Sequence, residues 1–255
     1  LDLAKEIRDG FNQGNVAKIK TQKPVVVGGE GTTNKANTET VQLQKTQTEK
    51  KSSTTKLFSK PLEEAKTIAD RYAKGKGFER ETFELITRAN FDKAKAIEIA
   101  KAYEKMKDDP FNPEVREAYE KLVEETGEQF AEILKAGYEI EVNNSEPYSS
   151  SEEMIADLRN NKKMKIFSTE SGFGDTPITD AQRASNPLLR YSGIKDKNGV
   201  PLLWNDIFRF VHDFFGHSEL GNSFGEVGEE NAWLNHATMY TPLARRAMTS
   251  ETRGQ

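Results

Sequence analysis

Three histidines serve the whole 255-residue chain, and all of them lie between positions 212 and 236. His212 and His217 bracket the hexapeptide HDFFGH, and His236 follows nineteen residues later. There is no cysteine, so disulfides are excluded and a metal site must be built from imidazole and carboxylate. Carboxylates are close by: Asp213 inside the hexapeptide, then Glu226, Glu229, Glu230 and Glu251. That donor set suits Fe(II), with Zn or Mn as alternatives. The competing reading is a pair of hydrogen-bonded core histidines.

Spacing constrains the first reading. On a straight α-helix, residues five apart point about 140° away from each other. His212 and His217 therefore share a metal only if the helix ends or bends near Gly216. Asp213 and His217 have i, i+4 spacing, which makes Asp213 a competing ligand. The helix that carries the hexapeptide starts near Asp206, with Asn205 as its cap. Ile207, Phe208, Phe210, Val211, Phe214 and Phe215 cover nearly its whole circumference, as in a buried helix. A histidine buried there without a partner costs about 1–3 kcal/mol.

A second helix, about 225–239, sets Glu229, Trp233 and His236 on one face. Glu229 and Glu230 are the candidate general bases for metal-dependent hydrolysis. The plainer reading makes these acids a solvated helix N-terminus, favoured by the macrodipole. His236 is an alternative ligand, or a support that bonds Glu229 or Glu230 and orients the site from behind. Thr241 and Pro242 open a third helix that reaches Glu251. Arg190, just upstream, is the candidate for holding the carboxylate of a small-molecule substrate.

HDFFGH resembles the H-E/D-x-x-G-H iron motif of the aromatic amino acid hydroxylases. NDIF (205–208) is similar to that family's lead-in, and FGEVGEENAWL (224–234) lies where the family has its next helix. The resemblance implies that His212 and His217 bind non-haem Fe(II) and that Glu251, in MTSETRGQ, completes a two-histidine, one-carboxylate triad. It covers about 206–251 only. His217 to Glu251 is shorter than the family's spacing, His236 is outside its pattern, and no pterin-binding segment is recognisable. Residues of about 105–255 also resemble uncharacterised domains of large tailed-phage proteins. That likeness implies a virion-associated or assembly protein whose partners are other subunits of the virion, located in the virion or the host cytoplasm.

The rest of the chain must position these groups. Hydrophobic residues make up 35% and charged residues 31%, which indicates a folded part diluted by a solvated one. The net charge of −4 gives no indication of a nucleic-acid partner, and no apolar run is long enough for a membrane span. Residues 1–20 read as a short helical segment. Residues 21–60, with nine Thr, seven Lys and one aromatic, read as an extended low-complexity arm held by a partner subunit or by the body of the protein. Residues 61–255 read as a mainly α (α+β) domain, helical with one or two short strands. Helices are expected from Pro61 to the glycines at 75 and 77, over 79–89 and 92–107, and over 113–136 between Asn112 and Gly137. A further helix follows Ser150. Strands are expected at YEIEV (138–142) and MKIFST (164–169), and a long loop over 170–203. The chain starts at Leu1 rather than Met and stops inside a motif-like segment, as a piece of a longer polypeptide would.

Overall fold

Residues 58–174 and 176–253 are described by the structure, a computed structural model. The fold is mainly helical with two short two-stranded sheets, the class expected from the sequence. The expected segment 1–20 and the arm as far as residue 57 lie outside the described residues. The end of the arm is described, and it packs on its own domain. Phe58 bridges to Asn222, and the Ser59 N–H donates to the Gly221 carbonyl at 2.7 Å. Among the described residues no helix is long and apolar enough to cross a membrane.

Helix α1 (Glu63–Lys76) ends at Gly77 with φ 73°, a left-handed cap that favours glycine. Helix α2 (Lys93–Glu104) is capped by Asp92 but buries none of its residues, and its Ile97 and Tyr103 are exposed. Between them, the helix expected over 79–89 does not form. The side chain of Asn231 takes both main-chain groups of Ile86, N–H at 2.8 Å and C=O at 2.8 Å, and the segment stays irregular. Helix α3 (Pro113–Lys135) is the central element. Asn112 caps it, and Gly137 follows with φ 84°. Leu122, Val123, Phe130 and Ile133 are fully buried, whereas Val115 in the first turn is exposed.

Strands β1 (Glu139–Asn143) and β2 (Lys163–Phe167) pair in parallel, joined by helix α4 (Ser151–Asn161). The stretch expected as loop over 170–203 is largely structured. It holds two short helices, α5 (Thr169–Gly172) and α6 (Asp180–Ser185). It also holds an antiparallel pair, β3 (Tyr191–Lys195) and β4 (Pro201–Leu203).

Helix α7 (Trp204–His212) starts two residues earlier than expected, and Asn205 does not cap it. Asp206 does that work by reaching back to the Leu203 N–H at 2.8 Å. Its other oxygen accepts from the Thr169 N–H and hydroxyl at 2.9 and 2.6 Å. Phe210 and Phe214 of this helical run pack edge-on against Phe130 and Tyr138, with ring centroids 5.5 and 4.8 Å apart. Full burial of each ring stabilises the fold by roughly 2–3 kcal/mol. Helix α8 (Glu226–Ala237) packs on residues 213–218, and helix α9 (Pro242–Thr252) packs on α3 and α8.

Close backbone approach sets the start of α8. A Cβ on Gly228 would lie 1.9 Å from the Ser223 carbonyl oxygen, whereas one on Gly75 would meet nothing within 4 Å. Gly228→Ala should therefore destabilise the domain by about 3 kcal/mol in denaturant unfolding. Gly75→Ala should stabilise it by about 0.5 kcal/mol.

Candidate metal centre

The hexapeptide neither ends its helix nor bends at Gly216. Instead the α-helix widens into a π-turn over Asp213–Ser218. In a π-turn the hydrogen-bonded register is i→i+5, so residues five apart come one above the other. This brings His217 beneath His212, which a straight α-helix would forbid. Their rings lie 5.3 Å apart at 89°. Gly216 has a different role from the expected helix stop. A Cβ there would lie 3.1 Å from the Ala232 carbonyl oxygen and 3.2 Å from Cε1 of His212. Its absence lets α8 approach and leaves room for the imidazole.

A widened turn puts carbonyls out of α-helical register, and buried ones need partners. Each carbonyl from 214 to 218 has one. Ser218 donates its hydroxyl to Phe214, and the Asn235 amide donates to Phe215 at 2.8 Å. The Asn222 side-chain amide donates to Gly216 at 2.8 Å, and its N–H donates to His217 at 2.8 Å. The Leu62 N–H donates to Ser218 at 2.8 Å. Arg80 then locks the exit of the turn. It grips both oxygens of Glu219 at 2.8 Å and reaches Asn235 at 3.0 Å.

The first turn of α8 carries Glu229 toward both histidines. Its Oε2 lies 3.3 Å from Nε2 of His217 and 3.9 Å from Nε2 of His212. One ligand atom from each of His212, His217 and Glu229 lies within 4.8 Å of the others. A first-row metal with bonds of about 2.1 Å holds its ligand atoms roughly 3–3.5 Å apart, so small side-chain adjustments would close the set around an ion. His217 is 1% exposed, whereas the Glu229 side chain is 44% exposed. The histidines form the wall of the site and the carboxylate stands at its mouth.

Electrostatics favour a cation between these groups. Burial pushes the His217 imidazolium down in pKa, but Glu229, Asp213 and the Asn222 carbonyl together hold it above its ordinary value. Burial likewise pushes Glu229 up, and His217 and His212 outweigh that, holding its carboxyl far below the usual range. Nδ1 of His217 lies 3.3 Å from the Asn222 carbonyl oxygen. A carbonyl only accepts, so Nδ1 carries a proton, and a metal would take Nε2 by displacing the proton that Nε2 shares with Glu229.

No family model, curated protein or solved structure matches the chain. The site therefore has to be read from its geometry. The expected histidines are brought together, but the carboxylate beside them is Glu229, not Glu251. Glu251 sits on α9, where the Tyr119 hydroxyl donates to it; burial raises its pKa against that bond. Glu230 pairs with Arg253 and is not in the group. Arg190 pairs with Glu120 at 2.6 Å and donates to the Pro187 carbonyl, so it is not in the group. Asp213 is half-buried beside the site, and burial raises its pKa despite the pull of His217, His212 and Arg209. His236 bonds neither Glu229 nor Glu230. Its Nδ1 lies 3.2 Å from Nδ1 of His212, and its Nε2 lies 2.9 Å from Oε1 of Gln129.

Sequence reasoning did not find Gln129, Asn222, Asn235 or Glu219. Only Gln129 carried a signal. It falls in the inward stripe of α3, next to Phe130, where a polar residue needs a buried partner.

Gly216→Ala tests the close approach. The new methyl must displace His212 or α8 by a few tenths of an ångström. The expected result is a stability loss of about 1–3 kcal/mol in denaturant unfolding.

Proposed function

We propose that the domain holds one metal ion through His212, His217 and Glu229, and that it works as a non-haem Fe(II) oxygenase. The observation that carries this reading is the convergence of one ring nitrogen from each imidazole and one carboxylate oxygen within 4.8 Å. Two neutral imidazoles and one carboxylate on one side of an ion leave positions free for dioxygen and a co-substrate, which is the chemistry ferrous iron supplies in such a triad. The chain's own residues do the remaining work. Phe208 stacks on His212 and Phe224 packs edge-on over His217, with centroids 6.2 and 4.9 Å away, and these rings exclude water from the imidazole side. Glu229 marks the open side, where a small-molecule substrate would enter.

Metal analysis after anaerobic Fe(II) loading tests the ligand set. Wild type should retain about one iron per chain, His217→Ala and Glu229→Ala should retain almost none, and Glu251→Gln should match wild type. Equal, near-zero iron in wild type and His217→Ala would remove the metal reading. Iron lost by Glu251→Gln and kept by Glu229→Ala would move the carboxylate to Glu251. Nitric oxide, a dioxygen surrogate, should bind the ferrous protein and give a high-spin paramagnetic signal. A loaded protein without that signal has no free position and is not an oxygenase.

Metal must also displace the proton of His217. Because the His217 pKa is raised, loading at a fixed free Fe(II) concentration should fall as pH drops through that pKa. The fall should be about tenfold per pH unit for one competing proton, measured by equilibrium dialysis.

A further inference from the structure

We infer that Gln129 and His236 are positioning residues that fix which nitrogen of His212 faces the site. The inference deepens the metal reading above, but it makes a statement about proton positions that stands without a metal.

Hydrogen-bond roles along the row can be assigned one at a time from groups that have a single option. The main-chain carbonyl of Met239 can only accept, and Nε2 of Gln129 donates to it at 3.2 Å. That fixes the amide, so its Oε1 is the atom turned to His236, 2.9 Å away. A carbonyl oxygen only accepts, so Nε2 of His236 carries the proton. In the neutral ring, Nδ1 of His236 then has a lone pair. It lies 3.2 Å from Nδ1 of His212, so His212 is the donor. Its proton therefore sits on Nδ1, and its Nε2 presents a lone pair to Glu229 and to any ion held there.

Two features make this row a lock rather than a proton wire. It ends on an amide, which gives up no proton at ordinary pH, so no net transfer along it is available. It is also dry: Gln129 and His236 are 0% exposed, so no bulk water can substitute for a missing partner. On the other side of the site, the Asn222 carbonyl lies 3.3 Å from Nδ1 of His217. A main-chain carbonyl thus stands behind each ligand imidazole, one directly and one through two side chains. Ligand histidines are commonly oriented through the nitrogen that does not bind metal, and removing such a support costs about 10–100-fold in affinity.

The test uses the full chain in its metal-free form, at alkaline pH where imidazoles are neutral. Side-chain nitrogen NMR distinguishes the two ring tautomers, and the three histidines can be assigned from single variants. The expected pattern is a proton on Nδ1 for His212 and on Nε2 for His236. Gln129→Leu removes the fixed acceptor. His236 should then turn its proton toward His212 and drive the His212 proton onto Nε2, with a loss of about tenfold or more in Fe(II) affinity. His236→Asn places an amide oxygen near the position of Nδ1. It should keep the His212 proton on Nδ1 and the affinity within a few-fold, whereas His236→Leu should lose both. A purely structural role for these residues would not predict rescue by Asn or a tautomer switch.

Wild-type His212 protonated on Nε2, or an unchanged His212 tautomer in Gln129→Leu, would overturn the lock. The expected tautomers in a protein that retains no Fe(II) would uphold the lock and count against the metal reading alone.

Discussion

The widened turn at Asp213–Ser218 is the constraint on which the rest of the arrangement depends. A π-turn is costly because its carbonyls leave the α-helical register inside a dry core. Here that cost is met from four directions: a hydroxyl within the turn, the loop at Asn222, the amide of Asn235 on α8, and the N–H of Leu62 ahead of α1. Asn222 is used so fully in this work that its own side-chain oxygen has no partner among the described residues. The elements that hold the turn also surround the site. Stabilising the turn and bringing the two imidazoles together are therefore one structural problem.

This coupling explains the density of buried polar groups in the domain. Arg80 belongs to an irregular segment, yet it joins Glu219 at the exit of the turn to Asn235, and Asp70 on α1 joins the same guanidinium. Each of these groups would be expensive to bury alone. As a network they tie α1, the π-turn and α8 into one unit. Asn231, one turn before Asn235, pins Ile86 in the same manner.

The helices, their caps and the short strands were legible in the sequence where one local rule sufficed. Asn112, Gly137, Ser150 and the alternation at 138–142 are cases of this kind. The expectation failed where a distant partner decided the outcome. Residues 79–89 have helical apolar spacing, but the Asn231 amide and the Glu219 carboxylate hold their backbone and Arg80 elsewhere. In the site, the histidines were legible from their clustering, and the need for non-α geometry followed from their spacing. The solution was missed because a π-turn has no residue signature, whereas glycine suggests a helix end. The choice of Glu229 over Glu251 depends on how α8 meets the π-turn. Gly216 allows that contact and Gly228 lets the loop at Ser223 lie against the start of α8, and no spacing rule encodes either approach.

Glu125 of α3 has an influence well beyond its own helix. It accepts from both the N–H and the hydroxyl of Thr241, at 2.9 and 2.7 Å across 116 positions of sequence, and so closes the first turn of α9 from outside. Thr126 meets the Tyr240 hydroxyl at 2.8 Å beside it. A helix that borrows its start from a distant element has little autonomy. Opening α9 exposes the Glu125 carboxylate, and opening α3 leaves the first turn of α9 without its acceptor. The two helices are thereby joined into one cooperative unit of unfolding, and fraying from the C-terminal side is suppressed until the central helix itself gives way.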